Sequence, residues 1–348
     1  MQVPCVVVDR TSGEAARSAL AEADLLDDDH EIAVNDETLY LPVTDPERVP
    51  AEFETTRREL PARDGVTTPA DLLGFEPSLE RIGDLAILDE DDSERAGEIA
   101  DAVLDADLPA RAVLNRASKI KGECRVRDWD VVAVDDTAAA ETAAEAANAA
   151  EGGDLSPTET VHREYGHAFR LDLDAVYFSP RLATERHRVV EQVAADEQLF
   201  DMFAGVGPFA IPAASRGAEV IAVDLNDTAV DYCRENARRN GVADSVTAIA
   251  GDVREVAADY DGWADRLVMN LPHSANEFVE TAVALAGEEC VIHYYDIQHE
   301  EDPFGPGREA IREAAEPEYD VSVETEHVVR SYAPHEMNIC LDVRITRK

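Results

Sequence analysis

The chain has 348 residues, 75 acidic and 31 basic, with a formal net charge of −44 and a sequence pI of about 4.3. A field of that sign repels nucleic acid and anionic membranes, so neither partner can be recruited by net charge alone. Hydrophobic residues make up 45% of the chain, which excludes the other reading of high charge, an unfolded polymer.

Residues 3–9 (VPCVVVD) read as a buried strand. Thr11 and Glu14 have capping-box spacing, opening a helix that runs to about Leu26. Glu31–Val34 and Thr38–Val43 flank a hairpin turn at Asn35-Asp36. Together they form a small α+β domain over residues 1–64, followed by a Pro- and Gly-bearing linker near 61–69. A second α+β domain spans 65–175. It contains a strand near Asp84–Leu88, an acidic turn at 89–92, a helix from about Ser93 to Leu104, and strands at Ala112–Arg116 and Arg125–Val134. Residues 137–154 (TAAAETAAEAANAAEGGD) are low in complexity and read as an insertion. Val161–Tyr165 and Ala168–Leu173 form a hairpin around Gly166.

From 176 to 348 strands and helices alternate. Leu199–Phe203, Glu219–Val223, Thr247–Ala250, Arg266–Asn270 and Cys290–Tyr295 are short apolar strands, and Thr228–Asn240 is the clearest helix between them. A helix at Gly307–Ala315 then leads into two long β-rich runs, Tyr319–Ser331 and Asn338–Thr346. This order predicts an α/β domain with a mixed seven-stranded sheet, parallel and doubly wound, closed by an antiparallel pair. Five dispersed cysteines without a C-x-x-C pair indicate reduced thiols, and no metal site is expected. Neither a signal peptide nor a membrane-length apolar run is evident, so a cytoplasmic, monomeric protein is expected.

The chemistry gathers at the strand ends. The turn DMFAGVGPFA begins at Asp201, and its glycines Gly205 and Gly207 let the backbone approach a ligand at the sheet edge. Asp224 follows at the end of the next strand, placed to accept both hydroxyls of a ribose. That set alone also satisfies a nicotinamide fingerprint, so a dehydrogenase remains an alternative at this point. Two more strand ends separate the readings: Asp252 and Val253 follow the third strand, and Asn270-Leu-Pro272-His273 the fourth. An S-adenosylmethionine site uses both, with an acid for the adenine amine and Asn-x-Pro where methyl meets acceptor.

These residues carry a resemblance. The signature VYFSPRLATER over 176–186, DMFAGVGPF over 201–209, GDVRE over 251–255, NLPH over 270–273 and VIHYY over 291–295 is similar to that of the archaeal and eukaryotic tRNA guanine-37 N1-methyltransferases. The resemblance implies a tRNA-elbow-sensing N-terminal domain, a middle domain contacting the anticodon arm, and a class I (Rossmann-like) methyltransferase domain. It implies S-adenosylmethionine as cofactor and tRNA carrying G37 as partner. It brings Glu185 forward as general base, where the residues alone suggest a helix acid paired with Arg188 or Arg181. It also implies an arginine on the base's O6, Arg125 or Arg127, with Asn270 and Pro272 at the base edge. Cofactor contacts are expected from Tyr177, Asp201, Phe203, Gly205, Gly207, Asp224, Leu225, Asn226, Asp252, Val253 and Asn270, and RNA phosphate contacts from Arg181 and Arg186. His187, His273 and His293 are expected to be structural.

Two neighbouring activities share this pattern. Transfer of the cofactor's aminocarboxypropyl arm to a wyosine-type base at tRNA position 37 is the nearer one, and a tRNA-binding chaperone without catalysis is the further one. The charge also finds an explanation. Only Lys119, Lys121 and Lys348 are lysines, a usage that resembles proteins of salt-in halophiles, where molar salt cuts the Debye length to roughly 3 Å.

Overall fold

The computed structural model describes residues 2–348 except 24, 28, 36–37, 51–52, 63–64 and 136–154. The low-complexity stretch at 137–154 therefore lies outside the described residues. The chain divides into two compact units, Met1–Thr68 and Pro69–Lys348.

In the first unit, β1 (Gln2–Asp9), β2 (Ala33–Asn35), β3 (Thr38–Pro42) and β4 (Glu54–Glu59) form an antiparallel sheet in the order β2-β3-β1-β4. Alternation along β1 sends Val6 to the side of the helix Gly13–Glu22, where Ala16, Leu20 and Leu41 bury it. Val3 and Cys5 face the other way, towards Leu60. The helix stops four residues short of expectation because the chain turns back: the Leu25 N–H bonds to the Leu20 carbonyl, and Leu26 bridges to Val43. Asn35 is still a strand residue, paired with Thr38, so the connection falls on 36–37, outside the described residues.

The second unit contains three sheets. β5 (Glu80–Ile82), β6 (Leu85–Leu88), β7 (Ala112–Arg116) and β8 (Trp129–Val134) lie in that order, with β6 and β7 parallel. The helix Ser93–Asp105 makes the crossover, capped by Asp92, whose carboxylate accepts from the Glu94 and Arg95 N–H groups. Its Ala96, Ile99, Ala100 and Val103 stripe packs on Ala86, Leu88 and Val113. The opposite face of the same sheet, Leu85, Ile87, Ala112 and Leu114, shares a core with Phe169, Leu171, Val206, Ile211 and Ala229. Phe169 and Leu171 belong to the hairpin β9 (Glu159–Glu164) and β10 (His167–Asp172). That shared core crosses the boundary expected at 175/176 and makes residues 69–348 one compact body.

The third sheet is mixed and seven-stranded, as expected: β11 (Gln198–Asp201), β12 (Glu219–Asp224), β13 (Val246–Ala250), β14 (Ala264–Met269), β15 (Ala286–His299), β16 (Tyr319–Ala333) and β17 (Glu336–Arg347). The spatial order is β13-β12-β11-β14-β15-β17-β16, parallel through β15 and antiparallel after it. Strand order reverses beside β11, where β12 lies on one side and β14 on the other. That switch point opens a crevice at the carboxyl ends of the strands, and the glycine turn enters it.

One expected strand is corrected. Residues 125–128 lie outside the strand. Gly122 and Arg125 both take positive φ, and the Lys121 N–H closes a tight loop onto the Val126 carbonyl at 2.7 Å. β8 therefore starts at Trp129.

Candidate active site

Asp201 ends β11 with its side chain fully buried. One carboxylate oxygen accepts weakly from the Phe203 N–H at 3.4 Å, and the other, Oδ2, has no partner. Burial, opposed by that N–H and reinforced by nearby Asp224, pushes the carboxyl up to about 7. A buried acceptor with nothing to accept from is suited to a cationic ligand group.

The turn beyond it is built on glycine for two reasons. Gly205 sits at φ 55°, a left-handed conformation. Gly207 sits at φ 91°, and a Cβ there would also come within 2.9 Å of both the Cys233 sulfur and the Ile211 Cδ1, so a side chain is strained and crowded at this position. The Gly205 N–H donates to Asp224 Oδ2 at 2.7 Å, and the Asn226 N–H to Oδ1 at 2.9 Å. Burial raises the Asp224 carboxyl, and these backbone bonds act against it. Asn226 caps the helix Asp227–Arg239 through the Thr228 N–H and donates to the Ala175 carbonyl. Leu225 stands exposed beside Asp224.

Asp252 caps the short helix Val253–Val256 and is clasped by the Arg254 guanidinium at 2.9 Å, which holds its carboxyl low. Val253 packs its side chain into the core, which leaves its backbone to meet a ligand. Phe203 is half-buried, edge-on to Phe278 at 5.0 Å. Past β14, the amide of half-buried Asn270 has no hydrogen-bond partner among the described residues, and Pro272 precedes His273 at φ 85°. His273 lies 3.3 Å from the Tyr332 hydroxyl.

Glu185 is placed by the Ser179-Pro180 turn, which runs through Pro180–Leu182 into the helix Ala183–Val190. It is 4% exposed. The ion pair with Arg188 that the residues alone suggest does form, as two bonds of 2.8 Å, but in the interior rather than on the surface. The Tyr295 hydroxyl donates to Oε1 at 2.8 Å, and His327 Nε2 lies 3.3 Å from Oε2. Behind these, Arg188 reaches Asp342, Asp342 reaches His293 at 2.7 Å, and Arg266 joins His293 to Glu197. Burial opposes charge on Asp342, yet the bonds from His293 and Arg188 hold its carboxyl far below the usual range. Desolvation lowers His293 and drives the Tyr295 phenol well up, so Tyr295 remains a donor. Met269 pairs with Tyr294, which brings Asn270 level with Tyr295. The Tyr295 ring also meets Phe209 of the glycine turn at 6.1 Å. The two halves of the site thus share one sheet edge.

Among the described residues, His293, Cys340 and Asp342 are a group with metal-ligand composition. The guanidinium groups of Arg188 and Arg266 already bind Asp342 and His293, and their positive charges oppose a metal cation there.

The arginines fall into different places. Arg125 lies over the exposed Tyr177 ring, 5.5 Å from its centroid. Arg127 packs on Trp129 at 5.5 Å, its charge disfavoured by burial and by Arg116. Arg181 is exposed and bonds Glu80 at 2.8 Å. Arg186 departs from the expected phosphate contact: it is 4% exposed, bound through two nitrogens to Glu164 and to the Ser179 carbonyl. Its charge is spent inside, because the Ser179 turn needs a buried anchor. His187 stacks on Tyr165 at 4.0 Å.

Two features escaped the reading of the sequence. Beyond the Arg188 pair that helix spacing suggests, Tyr295, His327 and Asp342 form the surroundings of Glu185, and the available signal was one acid, Asp342, in an otherwise apolar run of β17. The other is the segment 116–127 (RASKIKGECRVR), with basic Arg116, Lys119, Lys121, Arg125 and Arg127 against a single acid, Glu123.

The chain is similar to known proteins over nearly its whole length. Residues 160–324 match the TRM5/TYW2 methyltransferase domain, and residues 5–52 the tRNA methyltransferase 5 N-terminal domain. A tRNA (guanine(37)-N(1))-methyltransferase Trm5b of Pyrococcus abyssi is 39% identical over 351 residues, covering 98% of each chain. The Trm5b of Methanocaldococcus jannaschii is 31% identical over 366 residues, 99% of each. A solved complex of aTrm5 with tRNALeu superposes with a TM-score of 0.68 at 30% identity, over 98% of this chain and 99% of that one. On this evidence the chain belongs to the Trm5 family of tRNA (guanine(37)-N(1))-methyltransferases.

Proposed function

We propose that this protein transfers the methyl group of S-adenosylmethionine to N1 of guanosine-37 in tRNA, with Glu185 as general base. The observation that carries this reading is a sealed carboxylate on the sheet edge that also holds the cofactor acids. Glu185 is tied through Tyr295 to the level of Asn270, and Asp201 and Asp224 end the neighbouring strands.

The residues present fit the cofactor. Asp201, with its unpartnered buried oxygen, would hold a cationic end, Asp224 the ribose hydroxyls and Asp252 the adenine amine. When bound, the cofactor supplies an electrophilic methyl on a sulfonium. The chain has to do the rest. Neutral guanine carries a proton on N1, so Glu185 must accept it as the N1 pair becomes available, and the charge that spreads to O6 needs a donor. Arg125, over Tyr177 in a tight loop, is the better placed of the two arginine candidates, since Arg127 is held against Trp129. The free amide of Asn270 serves the base edge, and Pro272 fixes the loop that carries it.

Charge does not prevent RNA binding on this reading. The 116–127 segment supplies local cations, and Arg181 stands exposed nearby on Glu80, which also binds Arg116. A high-salt cytoplasm and a monomeric state complete the proposal, supported by the acid-rich, lysine-poor composition and the dispersed cysteines.

Incubation with labelled S-adenosylmethionine and tRNA carrying G37, beside an A37 transcript, in molar KCl tests it. Label should enter only the G37 RNA, with a mass gain of about 14 Da per nucleoside; about 101 Da would mean aminocarboxypropyl transfer. No label on G37, or equal label on A37, overturns the reading.

A further inference from the structure

A net charge of −44 offers a phosphate no attraction at range. RNA has to be held by direct contact, through cations that no carboxylate has already neutralised. On the seven-stranded sheet most arginines do not qualify. Arg266 is bound to Glu197, Arg344 to Glu289 and Glu324, and Arg347 to Glu288 and Glu318. Arg330, half-buried on the edge strand β16, differs from them. Among the described residues its guanidinium makes no ion pair and no hydrogen bond, and its Nε is buried without a partner.

Arg330 also stands at the right place. It pairs with Asn338, and Asn338 pairs with Ile297 of β15, two residues beyond Tyr295. Residues two apart on a strand share a face. Asn338 therefore lies on the face of Tyr295, whose hydroxyl bonds Glu185, one repeat nearer the carboxyl edge. Asn338 is 3% exposed, and its Oδ1 has no partner among the described residues either. Unmet buried polar atoms are exceptions in folded proteins, and two of them adjoin here. The pairing of β16 with β17 is irregular on both sides of Arg330, between Val328 and Arg330 and between Ser331 and Ala333. Bulges of this kind re-aim side chains. The guanidinium carbon lies 5.8 Å from the centroid of the exposed Tyr332 ring, and the Tyr332 hydroxyl lies 3.3 Å from His273 Nε2. His273 closes the 270–273 loop, so contacts run from the amide of Asn270 to Arg330.

We propose that Arg330 clasps a phosphodiester of the target nucleotide, its two terminal nitrogens forking the non-bridging oxygens while Glu185 and Asn270 meet the base. The planar fork fits that anion, and the Tyr332 ring keeps the cation beside the loop. The proposal rests on the acceptor site assigned above.

The test is tRNA affinity at fixed salt for wild type, Arg330→Gln and Arg330→Lys. Each is measured on G37 tRNA, unmodified or carrying one neutral methylphosphonate at either phosphodiester flanking nucleotide 37. Arg330→Gln should bind unmodified tRNA roughly 5- to 20-fold more weakly, and Arg330→Lys, which keeps the charge without the fork, about two- to fourfold. One of the methylphosphonates should weaken wild type about as much as Arg330→Gln does, and should weaken Arg330→Gln no further. Unchanged tRNA affinity in Arg330→Gln overturns the proposal, as does a methylphosphonate loss that persists in full at both linkages. Loss of S-adenosylmethionine binding together with tRNA binding, in Arg330→Gln and Arg330→Lys alike, would show a structural role and also overturns it. Methylation of unmodified tRNA by wild type separates the two readings. If G37 takes no methyl group, the acceptor assignment has failed; if it does while the two losses add, only the clasp has failed.

Discussion

The two ends of this active site treat their buried carboxylates in opposite ways. Asp201, on the cofactor side, keeps one oxygen with no hydrogen-bond partner among the described residues. Glu185, on the acceptor side, is bonded at both oxygens by Arg188 and at Oε1 by Tyr295, with the His327 ring 3.3 Å from Oε2. The first is costly to the free protein and becomes favourable when a cation arrives; the second has partners at both oxygens without any ligand. Cofactor affinity is therefore built in as an unmet hydrogen-bond demand, whereas the proposed base is held in place by partners of its own.

Breaking the Glu185 side should have the largest effect. Arg188→Ala strands Glu185 and Asp342 as buried, uncompensated charges, and loss of such a partner costs about 3–5 kcal/mol. Chemical denaturation should show that loss together with absent turnover; a stable, active Arg188→Ala would mean the network is loosely held.

Asp201→Asn probes the other side. Calorimetric titration should find S-adenosylmethionine binding weakened roughly 10- to 100-fold, as expected for a lost charge-assisted bond. Stability of the cofactor-free protein should move the opposite way. The Asp201 carboxyl rises from 3.8 to about 7 on folding, so the native state holds a proton that the unfolded chain releases. Its contribution is fully present below pH 3.8 and lost as pH rises through about 7, a change on the order of a few kcal/mol. Asp201→Asn should thus be more stable than wild type above pH 7 and little different near pH 4, as read by thermal unfolding. Equal stability of the two at pH 8 would mean Asp201 is not an unpaired acid.

The smallest effect sharpens the same contrast. Because the cofactor needs the ionised form of Asp201, wild-type affinity should weaken as pH falls below about 7, approaching tenfold per pH unit. Asp201→Asn should flatten that slope, and a slope that survives the substitution would place the titrating group elsewhere.

How far this was legible in the sequence follows from what each feature depends on. Strands β11 to β15 and the glycine turn were readable because a buried parallel strand followed by a tight turn is a local pattern, and the acids fall at strand ends in chain order. The 125–128 segment was misread as strand because its basic–apolar alternation matches period two, while positive φ at Gly122 and Arg125 bends it into a loop. Arg186 was expected outside and lies inside, since nothing local reveals that Glu164 waits across the hairpin for it. The Glu185 network was invisible for a related reason: it joins residues 185, 188, 293, 295, 327 and 342, which only the long antiparallel pairing of β15, β16 and β17 brings together. Spacing along a helix shows one of those bonds, to Arg188, and no more.

The central claim is that a buried carboxylate bonded by Arg188 and Tyr295, Glu185, is the base of a methyl transfer whose cofactor is held elsewhere. The most direct measurement is the single-turnover rate of Glu185→Gln on G37 tRNA, with S-adenosylmethionine affinity measured on the same preparation. The rate should fall by about 10²- to 10⁴-fold with cofactor affinity within a few-fold of wild type. A rate near wild type, or a loss explained by lost cofactor binding, would contradict the account.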